Sequence, residues 1–253
     1  MIRNDDKIKL REICPSKGLE NLVESYFIYQ NPTNQVKKLT IFPDGFLKVI
    51  IEFQGANILR FFRTGLWTKE GEIISPPHSS IYGIKFKILA PEYIFQKEIA
   101  SIILTRQDLQ LDFWNIQAIK LGNFQEFVET IESKLLASLN PKKIAPKKLQ
   151  LSQLLYVMNG NISAEQVSNQ INWSNRQINR YLNKYLGVSL KTYLNIQKCH
   201  SSYSHIGKVE FYPSNNYFDQ AHFIREIKKH TGKTPKEIYK NQNDRFIQLK
   251  FTK

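Results

Sequence analysis

The sequence predicts an α+β chain: a small β-rich N-terminal domain closed by helices, followed by an all-α domain of two helix-turn-helix units. Three observations predict it. Short apolar runs broken by turn signals fill the first half. Helical periods with side-chain caps fill the second. Part of that second half also repeats itself at an offset of 45 residues.

Charge divides the chain in the same place. Residues 1–140 hold 17 Lys and Arg against 16 Asp and Glu, and residues 141–253 hold 19 against 6. Nearly all of the net charge of +14 therefore lies in the second part. A near-neutral domain joined to a strongly basic one points to a polyanion partner for the basic one. The stretch "LNPKKIAPKK" (139–148) reads as the linker, with Pro146 placed to begin the next helix. The domains are read as 1–140 and 141–253. The charged start "MIRNDDKIKLREI" contains no signal-peptide run, and no apolar stretch is long enough to span a bilayer. Cys14 and Cys199 make no disulfide framework. A cytoplasmic protein without a membrane partner is expected.

Element by element, "LENLVESYFIY" (19–29) has helical spacing at Leu19, Leu22, Val23 and Tyr26. "LTIF" and "FLKVIIEF" read as strands on either side of a Pro43-Asp44-Gly45 turn, and "ILRFFR" as a further strand. "IYGIKFKI" (81–88) alternates, with Tyr82, Ile84, Phe86 and Ile88 on one face and Gly83, Lys85 and Lys87 on the other, which predicts a half-buried strand. "EYIFQKEIASIIL" and "NFQEFVETIESKLLASL" read as helices, the second capped by Asn123 with Glu126. Phe53, Trp67, Tyr82 and Phe86 serve either as packing or as the walls of an effector pocket.

The second half is helical throughout. "PKKLQLSQLLYVMNG" stops at Gly160. "SAEQVSNQI" and "SNRQINRYLNKYLG" each open on a capping box, Ser163 with Gln166 and Ser174 with Gln177. Two short helices across a tight turn are the helix-turn-helix pattern.

At the offset of 45, "WSNRQINRYLNKYLGVSLKTYL" from Trp173 aligns without a gap on "FDQAHFIREIKKHTGKTPKEIY" from Phe218. The cap Ser174 matches Asp219, Arg180 matches Arg225, Lys184 matches Lys229 and Gly187 matches Gly232. Both copies end in G-x-[ST]-x-K. Each copy has an apolar face (Ile178, Tyr181, Leu182; Phe223, Ile224, Ile227) opposite a basic and polar one. A helix of that kind suits the DNA major groove. Arg176, Gln177, Arg180, Ala221, His222 and Arg225 are the candidate base contacts. Ser174, Lys184, Lys191, Lys229 and Lys233 are the candidate phosphate contacts, which orient without reading sequence.

Other chemistries find less support. Asp219 and His222 are three apart, but Asp219 is better explained as a helix cap, and no nucleophile with base and orienting group can be assigned. Cys199, His200 and His205 lack metal-site spacing. No phosphate-loop motif is present. No catalytic, metal or cofactor residue is assigned. The competing class is an enzyme or ligand-binding protein whose basic half only anchors it to nucleic acid or to a membrane surface.

"GVSLKTYL" and, more closely, "YFDQAHFIREIKKHTGKTPKEIY" resemble the AraC family of bacterial transcription regulators over residues 147–245. "FPDGFLKVIIEF", "YGIKFKILAPEYIF" and "FVETIESKLLASL" are similar to the cupin-like sensor or dimerisation domains of such regulators. The resemblance implies a helix near 190–206 joining two recognition helices that enter successive major grooves of double-stranded DNA. Lys198 falls where the family usually has Arg or Lys. It also implies RNA polymerase, a small-molecule effector and a second copy of the chain as partners. Two departures stand out. The segment between Lys198 and Tyr217 is about five residues short, and "KVEFYPSNN" carries Pro213, with Asn216 where the family often has Gly. A poor scaffold helix for the second unit is the expectation.

Overall fold

The computed structural model describes residues 9–119, 123–139, 144–211 and 217–240. The N-terminal half is two antiparallel layers. Strands β1 (Lys9–Ile13), β2 (Val23–Asn31), β3 (Lys37–Ile41), β4 (Leu47–Gln54), β5 (Asn57–Thr64), β6 (Gly71–Ser75), β7 (Ser79–Phe86) and β8 (Arg106–Asp108) follow in chain order. Six form a sheet in the order β1-β2-β7-β4-β5-β8, and β3 and β6 pair as a second sheet. The two sheets enclose Phe27, Tyr29, Leu39, Ile50, Phe62 and Ile81. The opposite face of the large sheet (Tyr26, Ile28, Val49, Ile51, Phe61, Tyr82, Ile84) packs against helices.

This double cover corrects two expectations. Residues 23–29 are strand β2, not helix. Tyr26 and Ile28 enter one core while Phe27 and Tyr29 enter the other, so an unbroken aromatic and branched run fits a strand buried on both faces. Strand β7 is likewise buried on both faces. Gly83 lies under Phe27, where a Cβ would strike the ring, and Lys85 is buried with an ion pair to Glu12 at 2.8 Å. Strands β3 and β4 do flank the Pro43–Gly45 turn but lie in different sheets.

Residues 92–104 hold little helix. Helix α1 covers only Ala90–Tyr93, and a short 3-10 turn covers Ala100–Ile102. The chain turns at Gln96 and Leu104, both with positive φ. Ile99 N–H donates to the Tyr185 carbonyl at 3.1 Å instead of closing a helical turn. Helix α2 (Phe124–Ser138) starts where its cap predicts: Glu126 N–H donates to Asn123 Oδ1 at 3.0 Å.

The C-terminal half is helical: α3 (Pro146–Met158), α4 (Ala164–Ile171), α5 (Asn175–Leu186), α6 (Leu190–Gly207), α7 (Gln220–Thr231) and α8 (Pro235–Lys240). Pro146 begins α3. Both predicted capping boxes form, at Ser163 and Ser174, and α5 stops on left-handed Gly187. The described part of "KVEFYPSNN", Lys208–Phe211, is not helical; Pro213 and Asn216 lie outside the described residues. No described helix is long and apolar enough to cross a membrane.

One apolar core runs from Leu19 through the large sheet and α2 to Leu194 on α6, so the first helix-turn-helix unit is continuous with the β-rich half. A separate, smaller core of Phe42, Cys199, Tyr203, Ile206, Phe223, Ile227 and Ile238 carries α7.

Candidate nucleic-acid interface and effector cavity

Helices α4 and α5 are joined through Asn172, in the left-handed region, and Ser174. Ile178, Tyr181, Leu182 and Leu186 fix α5 by its buried face. That rotation leaves Arg176, Gln177, Arg180 and Lys184 exposed. Helix α7 is fixed the same way by Phe223 and Ile227, which leaves Ala221, Arg225, Lys228 and Lys229 exposed. Among the described residues, no carboxylate lies within ion-pair distance of Arg176, Arg180 or Arg225, whereas Lys184, Lys229 and Lys233 each have one.

Local bonding separates the candidates further. Gln177 Oε1 accepts from Ser174 N–H at 3.0 Å and from Ser174 Oγ at 2.9 Å, so the capping box engages the oxygen that a bidentate adenine contact needs. Ser174 Oγ in turn accepts from Gln177 N–H at 3.3 Å. His222 is half-buried: its ring meets Tyr217 edge-on at 5.7 Å, and its Nδ1 accepts from Phe218 N–H at 3.3 Å. Its Nε2 is the atom left for another partner.

Lys191, His222 and Lys229 converge on one cavity of about 340 Å³ between α6 and α7, together with Lys198 and Glu226. Lys198 stands over the Tyr217 ring, 4.1 Å from its centroid. Burial lowers the Lys198 pKa, against the pull of Glu226. Arg176 and Arg180 lie outside this cavity, on the face of α5.

The β-rich half grips both units at matching points. Lys184 pairs with Glu98 at 3.7 Å, and Lys233 pairs with Glu70 at 3.2 Å. Gly187 abuts Ala100, where an added Cβ would lie 3.0 Å from the carbonyl oxygen, and Gly232 abuts the Glu70 carboxylate. His230 Nδ1 lies 2.9 Å from the Thr68 carbonyl oxygen. Between these points the Pro43–Phe46 turn docks on α6. Tyr193 OH donates to the Gly45 carbonyl at 3.1 Å, and Tyr203 OH donates to that of Pro43 at 3.0 Å.

A second cavity, of about 320 Å³, opens between the two sheets. Ile41, Ile50, Phe62, Trp67 and Ile73 supply apolar wall, and Lys48, Glu52, Arg60, Glu72 and Arg106 supply charge. Of the four aromatics considered as effector walls, only Trp67 lines it. Phe53, Tyr82 and Phe86 belong to the core on the other face of the large sheet. Glu52, Glu70 and Glu98 were not singled out from the sequence. A carboxylate inside the apolar run "VIIEF" is the signal that marks Glu52.

Residues 11–106 match the family described as Domain of unknown function (DUF6597). A β-rich half of this kind precedes two cap-and-glycine helices borne on a joining helix. Similar solved structures include an apo ToxT variant from Vibrio cholerae strain SCE256, at 10% identity over 86% of this chain and 97% of that one, TM-score 0.45. Another is ToxT from Vibrio cholerae in the P21 form, at 12% identity over 92% and 97%, TM-score 0.44. A third is wild-type ToxT with bound unsaturated fatty acid, at 12% identity over 84% and 93%, TM-score 0.42. No curated relative matches the chain. The joining helix is α6, and it runs to Gly207, close to the predicted end. Among the described residues no separate scaffold helix lies between α6 and α7; Tyr203 and Ile206 on α6 support α7 directly.

Proposed function

We propose that the chain is a cytoplasmic, sequence-specific regulator of transcription. Residues 141–253 bind double-stranded DNA, and residues 1–140 act as the sensor or dimerisation domain. Arg176, Arg180 and Arg225 read bases, with Ala221 against the groove floor. Gln177 and His222 offer single donors, Nε2 in each case, rather than bidentate contacts. Lys184, Lys191, Lys229 and Lys233, with Ser174, engage phosphates. The inter-sheet cavity receives the effector, and the contacts at Glu70, Glu98 and the Pro43–Phe46 turn pass its state to the helices. None of these roles needs a catalytic group.

The observation that carries this reading is the repeat. A like exposed basic face stands on two helices that each begin on a side-chain cap and stop on a left-handed glycine, and their arginines have no carboxylate partner among the described residues.

The test is a selection of operator sequences followed by titration in salt. Arg180→Ala and Arg225→Ala should each weaken the best operator by about 1–3 kcal/mol and relax the preference at a few base pairs. Lys184→Ala should weaken all duplexes alike and lower the salt slope by about one. Equal affinity for all duplexes, or for anionic vesicles, would instead favour an anchor with no sequence reading.

A further inference from the structure

Glu52, which lines the cavity between the sheets, has one carboxylate oxygen that the fold leaves unsatisfied. Glu52 is 1% exposed, on the central strand β4. Its Oε2 holds Arg60 Nε at 2.5 Å. Its Oε1 is buried and has no hydrogen-bond partner among the described residues. Burial raises the Glu52 pKa, against the nearby Arg60 and Arg106 guanidinium groups. A buried acceptor left without a donor is costly, and a group that supplies one recovers that cost.

The charge around Glu52 restricts what that group can be. Arg60 already neutralises the carboxylate, and Arg60 and Arg106 both line the same cavity. Arg106 lies over the Phe62 ring, its guanidinium carbon 4.9 Å from the centroid. A second cation at Glu52 would meet these two guanidinium groups. A neutral N–H or O–H donor would not. The rest of the wall holds Lys48 and Glu72, paired with Asp44 and Lys38, and two threonines, but is otherwise apolar: Ile41, Ile50, Phe62, Trp67 and Ile73 offer a surface that suits a flat or compact apolar body. The volume is at the small end for ligand sites.

We infer that the inter-sheet cavity binds a small, neutral, largely apolar molecule, of the size of a substituted benzene or a fused bicycle, that donates one N–H or O–H hydrogen bond to Glu52 Oε1. This deepens the effector part of the proposed function. Binding is read without DNA, so the inference and the DNA-binding reading fail separately.

The test uses matched probes on the full chain by isothermal titration or ligand-observed NMR: indole against 1-methylindole, and 4-methylphenol against 4-methylanisole. Each donor-bearing probe should bind roughly tenfold more tightly than its methylated partner, because a bond to a carboxylate is lost on methylation. Ile73→Trp, which fills the cavity from the facing sheet and keeps both members of the Glu52–Arg60 pair in the chain, should abolish binding of both probes in each pair. Glu52→Leu should remove the preference for the donor. If that variant does not fold, the matched-pair ratio in the unaltered chain still decides. Equal affinities within each pair would overturn the proposal. So would no binding by either pair, binding that survives Ile73→Trp, or tighter binding of octanoate than of any neutral probe, which would mean that the arginines select an anion.

Discussion

Helices α5 and α7 have twelve residues each, begin on a side-chain cap and end on a left-handed glycine. Their platforms differ. The apolar face of α5 joins a core that reaches through the large sheet to Leu19, and α4 backs it. The apolar face of α7 rests on the far end of α6, on Phe42 and on Ile238, in a core of seven fully buried residues. Their caps differ too. Ser174 and Gln177 bond reciprocally, while Asp219 only accepts from His222 N–H, at 2.6 Å. The same surface pattern can thus be held by unequal foundations. The smaller core should open at a lower free energy, because local stability follows the buried apolar contacts that must be undone.

The largest effect that would break this comparison is core truncation. Phe223→Ala should cost about 3–5 kcal/mol. It should release α7 and α8 while α4, α5 and the sheets stay folded. Amide exchange checks this: protection should fall over 217–240 and hold over 164–186. Leu182→Ala should cost about 2–5 kcal/mol and be felt through the shared core, lowering the main melting transition. If Phe223→Ala lowers protection everywhere equally, the two units form one cooperative body and the contrast disappears.

Acid tests the joint between the two platforms. His200, on α6 between Tyr193 and Tyr203, is packed edge-on against Phe46 at 6.0 Å and Tyr203 at 5.7 Å. Burial pushes its pKa down to about 4; Asp44 and Glu12 oppose that and Lys85 and Lys48 reinforce it. With the folded pKa below the ordinary 6.5, the unfolded chain binds the proton first. The stability is therefore full above pH 6.5 and declines as pH falls to about 4. The whole shift caps the loss at about 3 kcal/mol. Melting followed between pH 7 and pH 4 should show this decline, and His200→Phe should flatten it. An unchanged slope in the variant would assign the decline to other groups.

What the sequence disclosed follows from how local each signal is. The caps at Asn123, Ser163, Ser174 and Asp219 and the stops at Gly187 and Gly232 are set within four residues, and the structure has them all. Strand β2 reads as a helix because a segment buried on both faces loses its alternation. Its apolar run then matches a helical period by chance. The segment after α1 reads as a helix because its deciding bond is not local: Ile99 bonds to Tyr185, a partner 86 residues away that no local pattern announces. The same holds for the candidate sites. The exposed faces of α5 and α7 were legible from their period. The pairing of Lys184 with Glu98 and of Lys233 with Glu70, and the unpartnered Glu52 Oε1, depend on how the sheets and helices come together.

Those two pairings give the smallest effect and the finest comparison of the units. Lys233 and Glu70 are 3.2 Å apart and about a third exposed, while Lys184 and Glu98 are 3.7 Å apart and more than half exposed. Exposed pairs contribute about 0.2–1 kcal/mol, with more from the closer and drier pair. Each acid also holds a lysine proposed to meet a phosphate, so the two roles compete: DNA must draw the lysine from its carboxylate. Glu70→Gln and Glu98→Gln should therefore each slightly lower the stability of the free protein and slightly raise its affinity for duplex DNA, and Glu70→Gln should do both to the greater extent. Parallel melting and fluorescence-anisotropy titrations at low salt measure the two together. The gain in affinity should shrink as salt is raised, since the pairs are open to solvent. A variant that loses stability and gains no affinity would show that its lysine does not face the phosphates. That unit would then be joined to the β-rich half for structural reasons alone.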